Sequence, residues 1–121
     1  MSTEQHRKML ECAAKACGIT GVWQEGFGIC VIGDYLKDPG EQVKFWNPLT
    51  NPGDTAEMCA KLDINTFFYH STKKVECWSD DHGDEQTTRH VTAYNGTSEG
   101  KLKAWMEAAT IVAAKIGGYE E

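Results

Sequence analysis

The chain lacks most of what would mark a membrane, secreted or nucleic-acid-binding protein. No apolar run in its 121 residues approaches the roughly 20 needed to cross a bilayer, so no membrane partner is expected. Residues 1–7, Met-Ser-Thr-Glu-Gln-His-Arg, have no apolar stretch of the signal-peptide kind, and a cytoplasmic location is expected. Cysteine occurs at 12, 17, 30, 59 and 77 but never as Cys-x-x-Cys, so neither a zinc knuckle nor a thioredoxin-type site is signalled. In a reducing compartment these thiols stay free, and most read as small buried hydrophobes. Positive charge is scarce: 12 Lys and Arg against 18 Asp and Glu leave a net charge of −6. A general DNA or RNA binder needs a basic footprint to release counterions, so neither is expected as a partner. The excess is also too mild for an acidic mimic of DNA. Internal repeats, low-complexity tracts and long linkers are absent, as are a Walker loop, a dinucleotide fingerprint and a metallohydrolase motif. Hence no cofactor is expected. Proline is rare as well, and two of its three occurrences, Pro48 and Pro52, fall in one short central segment.

What is present suits one ordinary globular domain over residues 1–121, with 40% hydrophobic and 25% charged residues. Met9, Leu10, Ala13, Ala16 and Cys17 give residues 3–17 a helical apolar face, with Ser2 and Gln5 as a capping box and Gly18 as C-cap. Short strands are expected at 22–24, 28–32 and 43–46, with Gly26 in the first turn and a loop over 33–41. Asn51 or Asp54 can cap a second helix ending near Leu62. Residues 64–70, 73–78 and 89–94 read as a meander, its second connection being the acidic loop 79–86. From Ser98 to Gly117-Gly118, the residues Leu102, Trp105, Met106, Ala109, Val112, Ala113 and Ile116 form a helical stripe. The order α-β-β-β-α-β-β-β-α suggests the α/β (α+β) class: a single mostly antiparallel sheet with helices on both faces.

The central segment Phe45-Trp46-Asn47-Pro48-Leu49-Thr50, followed by Gly53-Asp54, Ala56 and Ala60-Lys61-Leu62-Asp63-Ile64, resembles the signature of small phage and prophage proteins with the phage ABA-sandwich domain. Their pattern runs Trp-Asn-Pro-Leu-Thr, a spacer with Gly-Asp, and a helix ending in Lys-Leu-Gly-Ile. They also open with a helix ending in Ala-Cys-Gly-Ile, similar to Ala16-Cys17-Gly18-Ile19 here, and close with an Ala-rich helix, similar to 104–115. The likeness covers most of the chain. The departure is 73–96, which is polar and carries the acidic loop. The resemblance implies an α/β/α sandwich and an accessory role inside an infected bacterial cell, with no catalytic motif. Small phage proteins of this kind often counter host defences, by sequestering a nucleotide-derived immune signal or by binding a host protein.

Two groups of residues can contact a ligand. In the central motif, Trp46 can stack on a base while Asn47 or Thr50 bonds its edge, beside a helix N-terminus suited to phosphate. The plainer alternative makes Trp46 and Leu49 core anchors, with Asn47 and Thr50 satisfying a tight turn. On the meander, Tyr69, His70, Lys74, Trp78, Arg89 and His90, with Lys73, supply cations and aromatic platforms. Strand alternation can instead split them between two faces, leaving a solvated edge. The acidic loop Asp80-Asp81-His82-Gly83-Asp84-Glu85 can hold a cation, but its spacing is not that of an EF-hand and a solvated loop suffices. No spacing supports zinc at Cys77, His82 and His90, nor a pairing of Cys30 or Cys77 with His70 or His90, so neither metal nor catalytic residues are expected. The leading expectation is a non-enzymatic phage protein that binds and sequesters a small nucleotide-type ligand, with a homo-oligomer natural if pockets lie at subunit contacts. The alternative is inhibition of a host protein by direct binding through the acidic face.

Overall fold

In the computed structural model, which describes residues 3–31, 45–79 and 88–120, helix α3 (Ser98–Ile116) is the organising element. Its Ala104, Ala108, Ala109, Ala113 and Ala114 are buried, as are Met106, Thr110, Ile111 and Val112. Small side chains around the helix let neighbours approach from several sides. Helix α1 (Thr3–Ala16) packs on one side, strands β5 (Lys74–Ser79) and β6 (Thr88–Ala93) on another, and helix α2 (Pro52–Leu62) alongside. The approach of α1 is so close that a Cβ on Gly117 would meet the Cys12 carbonyl. Buried Thr110 keeps its hydroxyl satisfied by donating to Met106 O at 2.6 Å, so a polar group costs little there.

Helices α1 and α3 stop by the same device. After α1, Gly18 takes φ +72 and the Ile19 N–H reaches back to Ala14 O at 2.9 Å. After α3, Gly118 takes φ +102 and the Tyr119 N–H reaches Ala114 O at 2.9 Å. Both are Schellman closures, in which a residue without Cβ turns left-handed and the freed carbonyls regain donors. Helix α2 does the same with a non-glycine, Asp63 at φ 52, and the Ile64 N–H donates to Cys59 O at 3.0 Å.

The element order and the α+β class match the sequence reading, but the strands form two sheets instead of one. Strands β1 (Gly21–Gln24), β2 (Gly28–Val31) and β3 (Phe45–Trp46) make one antiparallel sheet; β4 (Asn65–Tyr69), β5 and β6 make the other. The physical reason is the segment between them. Pro48 and Pro52 stop β3 and send the chain into α2, so β4 starts a new ladder away from β3. In the first sheet, Trp23, Ile29 and Trp46 lie in one cross-strand row that joins the core, while Val22, Cys30 and Phe45 line the other side. In the second, Val75, Cys77 and Ser79 face α3 and are buried. Its opposite face was expected to carry helices. It carries none among the described residues, and Phe67, Tyr69 and Val91 stand exposed there. Leu102, assigned to the buried stripe by its spacing, is 42% exposed because it lies one turn before the crowded part of α3.

Cross-links tie the layers. The Trp105 indole donates to Thr66 Oγ1 at 3.1 Å, joining α3 to β4. Ser79 Oγ, fully buried, donates to Leu62 O at 2.8 Å, joining β5 to the end of α2. No described helix is long and apolar enough to cross a membrane. Ser2, the loop 33–41 and the acidic residues 80–85 fall outside the described residues.

Candidate functional site

The central motif is a wired turn. Trp46 closes the inner row of the first sheet and is 2% exposed, so its ring has no open face for a base. Asn47 folds back on the chain: its Oδ1 accepts the Leu49 N–H at 3.0 Å, and its own N–H donates to Asp54 Oδ2 at 3.0 Å. Asn51 caps α2 by accepting from the N–H groups of Gly53 at 2.9 Å and Asp54 at 3.3 Å. Thr55 Oγ1 donates to Pro48 O at 2.7 Å. Together these bonds occupy the start of α2. Asn51 holds the N–H groups that would greet a phosphate, and the Asp54 carboxylate already sits in the first turn.

Beside this turn opens a cavity of about 720 Å³. Leu10 of α1, half-buried Trp23 of β1, Leu49 of the turn and Met106 of α3 supply its apolar walls. Its polar groups are His6, Glu25, Asn47, Thr50, Lys103 and Glu107. Gly28 brings the hairpin against the turn. A Cβ there would lie 2.7 Å from Trp46 O and 2.8 Å from Asn47 Cβ, and φ is +103, so both space and backbone demand glycine. Asn47 Oδ1 is held by Leu49, while its Nδ2 hydrogens have no acceptor among the described residues. Lys103 Nζ pairs with Glu99 at 3.5 Å, and both side chains are well exposed, so the pair is weak.

The meander residues lie elsewhere. Tyr69, Lys74, Trp78 and Arg89 share the outer face of the second sheet, with Tyr69 opposite Lys74 and Trp78 opposite Arg89. His90 is on the inner face, and His70 is exposed in the turn between β4 and β5. The outer face is organised by Glu76, which was not expected to matter. Its carboxylate accepts from Tyr69 OH at 2.8 Å and from Arg89 Nε at 2.8 Å. The hydrogen bond to Glu76 raises the Tyr69 phenol above its ordinary value. Phe67 and Tyr69 meet edge to face, with ring centres 4.9 Å apart. The result is a flat aromatic and ionic surface rather than a concavity. None of these residues lines the cavity, and of the expected ligand contacts only Asn47 and Thr50 do.

The cavity residues with a polar or aromatic group that sequence reasoning missed are His6, Trp23, Glu25, Lys103 and Glu107. The available signal was helical spacing: His6 and Leu10 are four apart, and Lys103, Met106 and Glu107 share a side of α3. That signal marks a common face and does not say that two such faces meet.

Three of the thiols, Cys17, Cys59 and Cys77, are shifted away from nucleophilic reactivity. Burial pushes Cys59 up to about 12, with nearby Cys77 and Cys17 adding to it. Cys17 rises to about 11, again mainly by burial, with Lys61 opposing. Cys77 is a register partner of His90, but burial raises its thiol while a 3.5 Å contact with Thr66 Oγ1 opposes the rise. A reactive cysteine needs the reverse shift. Among the described residues, no group of three or more His, Cys, Asp or Glu can hold a metal ion. Comparison of the chain with protein-family models, curated proteins and solved structures found no match in any of the three.

Proposed function

We propose that this is a non-enzymatic binding protein that captures a small ring-bearing ligand of the nucleotide type in the cavity between α1, the β1–β2 hairpin, residues 47–50 and α3. The observation that carries the reading is that cavity, about 720 Å³ with apolar walls and the half-buried Trp23 ring. Its size falls in the range of small-molecule sites, roughly 300–1,000 Å³. Trp23 offers a stacking face, and the Asn47 amide and Thr50 hydroxyl can bond the edge of a ring. The likeness of residues 45–64 to phage ABA-sandwich proteins supports the setting, namely capture of a host immune signal in the cytoplasm of an infected cell. The test is a thermal-shift and calorimetry screen with nucleosides, cyclic nucleotides and ADP-ribose. A true ligand at roughly 100 times its Kd adds about 2.7 kcal/mol of stability, is released intact on heating, and loses its effect in Trp23→Ala. No stabilisation by any of them, or stabilisation that survives Trp23→Ala, rejects the reading.

One observation favours a second reading. The outer face of β4–β5–β6 exposes Phe67, Tyr69 and Val91 around the Glu76–Arg89 pair, a mixture common at the centres of protein interfaces. Among the described residues of this face, Lys74 and Arg89 outnumber Glu76 on a chain of net charge −6, which suits an acidic host protein. A host protein that is identified on the parent and lost from Phe67→Asp supports docking there. Equal retention by both refutes it.

A further inference from the structure

We infer that the cavity selects its ligand by charge: it accepts uncharged or cationic rings and rejects anionic ones, so a nucleotide enters base first with its phosphate kept outside. This rests on the cavity being the binding site. Among the described residues, the ionisable lining is Glu25 and Glu107 with Lys103 and His6, so with histidine counted as neutral two negative charges face one positive. The positive one also lies 3.5 Å from Glu99, in an exposed and weak pair. Glu107 is half-buried and has no ion-pair partner among the described residues. No arginine lines the cavity, and Arg7, on the same helix as His6, is bonded to Glu11 at 3.0 Å.

The other usual anion receptor is a helix N-terminus, and that of α2, beside residues 47–50, is filled. Asn51 Oδ1 takes two N–H groups of α2, and Asp54 places a carboxylate in its first turn. A phosphate or carboxylate at the α2 end of the cavity would shed water without gaining backbone donors from that helix, which is unfavourable. A cation gains Glu107 and, in the same lining, a Trp23 ring that can take its positive charge on its face. Asn47 Nδ2, with no acceptor among the described residues, adds a donor for a ring nitrogen or carbonyl.

The test uses three probes with one ring and three charges: tryptamine, indole and indole-3-acetate, titrated by calorimetry at low and high salt. Adenosine and 5′-AMP form a second pair. Expected affinities fall in the order tryptamine, indole, indole-3-acetate, with roughly tenfold or more between the first and last at low salt and a smaller gap at high salt. Adenosine binds at least as tightly as 5′-AMP. Glu107→Gln narrows the tryptamine preference several-fold, whereas Glu57→Gln, which removes the same charge outside the cavity, leaves it unchanged. Indole-3-acetate binding as tightly as tryptamine, 5′-AMP clearly outbinding adenosine, or a preference indifferent to Glu107→Gln overturns charge selection while leaving the cavity a binding site. If none of the five probes binds, the cavity reading falls and charge selection with it.

Discussion

Asp54→Ala tests whether the central turn holds the cavity wall in place. Asp54 is 7% exposed, and its Oδ2 is the acceptor of the Asn47 N–H at 3.0 Å. Alanine orphans that partly buried donor, which costs about 1–3 kcal/mol. It also removes a negative charge from the first turn of α2, worth about 0.3–1 kcal/mol. Relief of the burial of a carboxylate offsets part of this, so a net loss of about 2 kcal/mol is expected. Asp54→Asn keeps an acceptor of the same shape and loses only the charge, for a loss of about 1 kcal/mol or less. Urea unfolding followed by tryptophan fluorescence at pH 7 reads both values, and the slope should stay that of the parent. The same variants report on the site, because Asn47, Leu49 and Thr50 line the cavity. Asp54→Ala should therefore weaken any ligand that Trp23→Ala weakens. If the two Asp54 variants are equally stable, or Asp54→Ala lies within about 0.5 kcal/mol of the parent, the bond to Asn47 is not what holds the turn.

Three further outcomes follow from other parts of the molecule. Gly28→Ala should lose about 2 kcal/mol or more in a chemical melt, since its Cβ meets Trp46 O and Asn47 Cβ at φ +103; Gly26→Ala, also at positive φ but with nothing within 4 Å, should lose only about 1 kcal/mol, and equal losses would remove the close approach as a cause. Asp63→Gly should gain about 0.5–1 kcal/mol, because Asp63 closes α2 in the left-handed region at φ 52, and a loss would reject that cap. The raised thiols set an alkaline limit. Their folded values, about 12 for Cys59 and about 11 for Cys17, lie above an ordinary value of 9.0, so their stabilising share is intact below pH 9 and is lost as pH climbs towards 11 and 12. Urea midpoints should fall between pH 9 and 11 with a shallower slope in Cys59→Ala, and an unchanged slope would mean the thiol is not desolvated in the fold.

Local signals read well because their physics is local. Asn51, Pro52 at the first helical position, Gly18 and Gly118 act on their own backbone, and each sits at the boundary where its chemistry requires it. Pairing is another matter. Nothing within β3 or β4 says whether the two lie in one sheet, and the answer came from the proline-bounded turn between them. Trp23 and Trp46 look alike in the sequence, yet the register Trp23–Ile29–Trp46 puts one at the cavity and the other in the core. Tyr69 and Arg89 read as free contacts until β5 is placed between β4 and β6, which sets Glu76 against both. The cavity draws on two helices, a hairpin and a turn, so spacing shows each contributor and not their convergence.

The segment 46–62 therefore meets the cavity through Asn47, Leu49 and Thr50 and shapes it through electrostatics as well. It resembles a nucleotide site in composition, with a tryptophan, an asparagine and a helix start. The fold uses the tryptophan as core, and the helix start is closed by Asn51 and Asp54. Closing it makes the turn rigid enough to serve as a wall. It also removes one positive backbone terminus beside the cavity, so that among the described lining residues Lys103 faces Glu25 and Glu107. Stability of the turn and rejection of anions thus come from the same side chains. A variant that opened the α2 terminus, such as Asn51→Gly with Asp54→Ser, would loosen the wall and admit anions together, so the selectivity cannot be reversed there without cost to the fold.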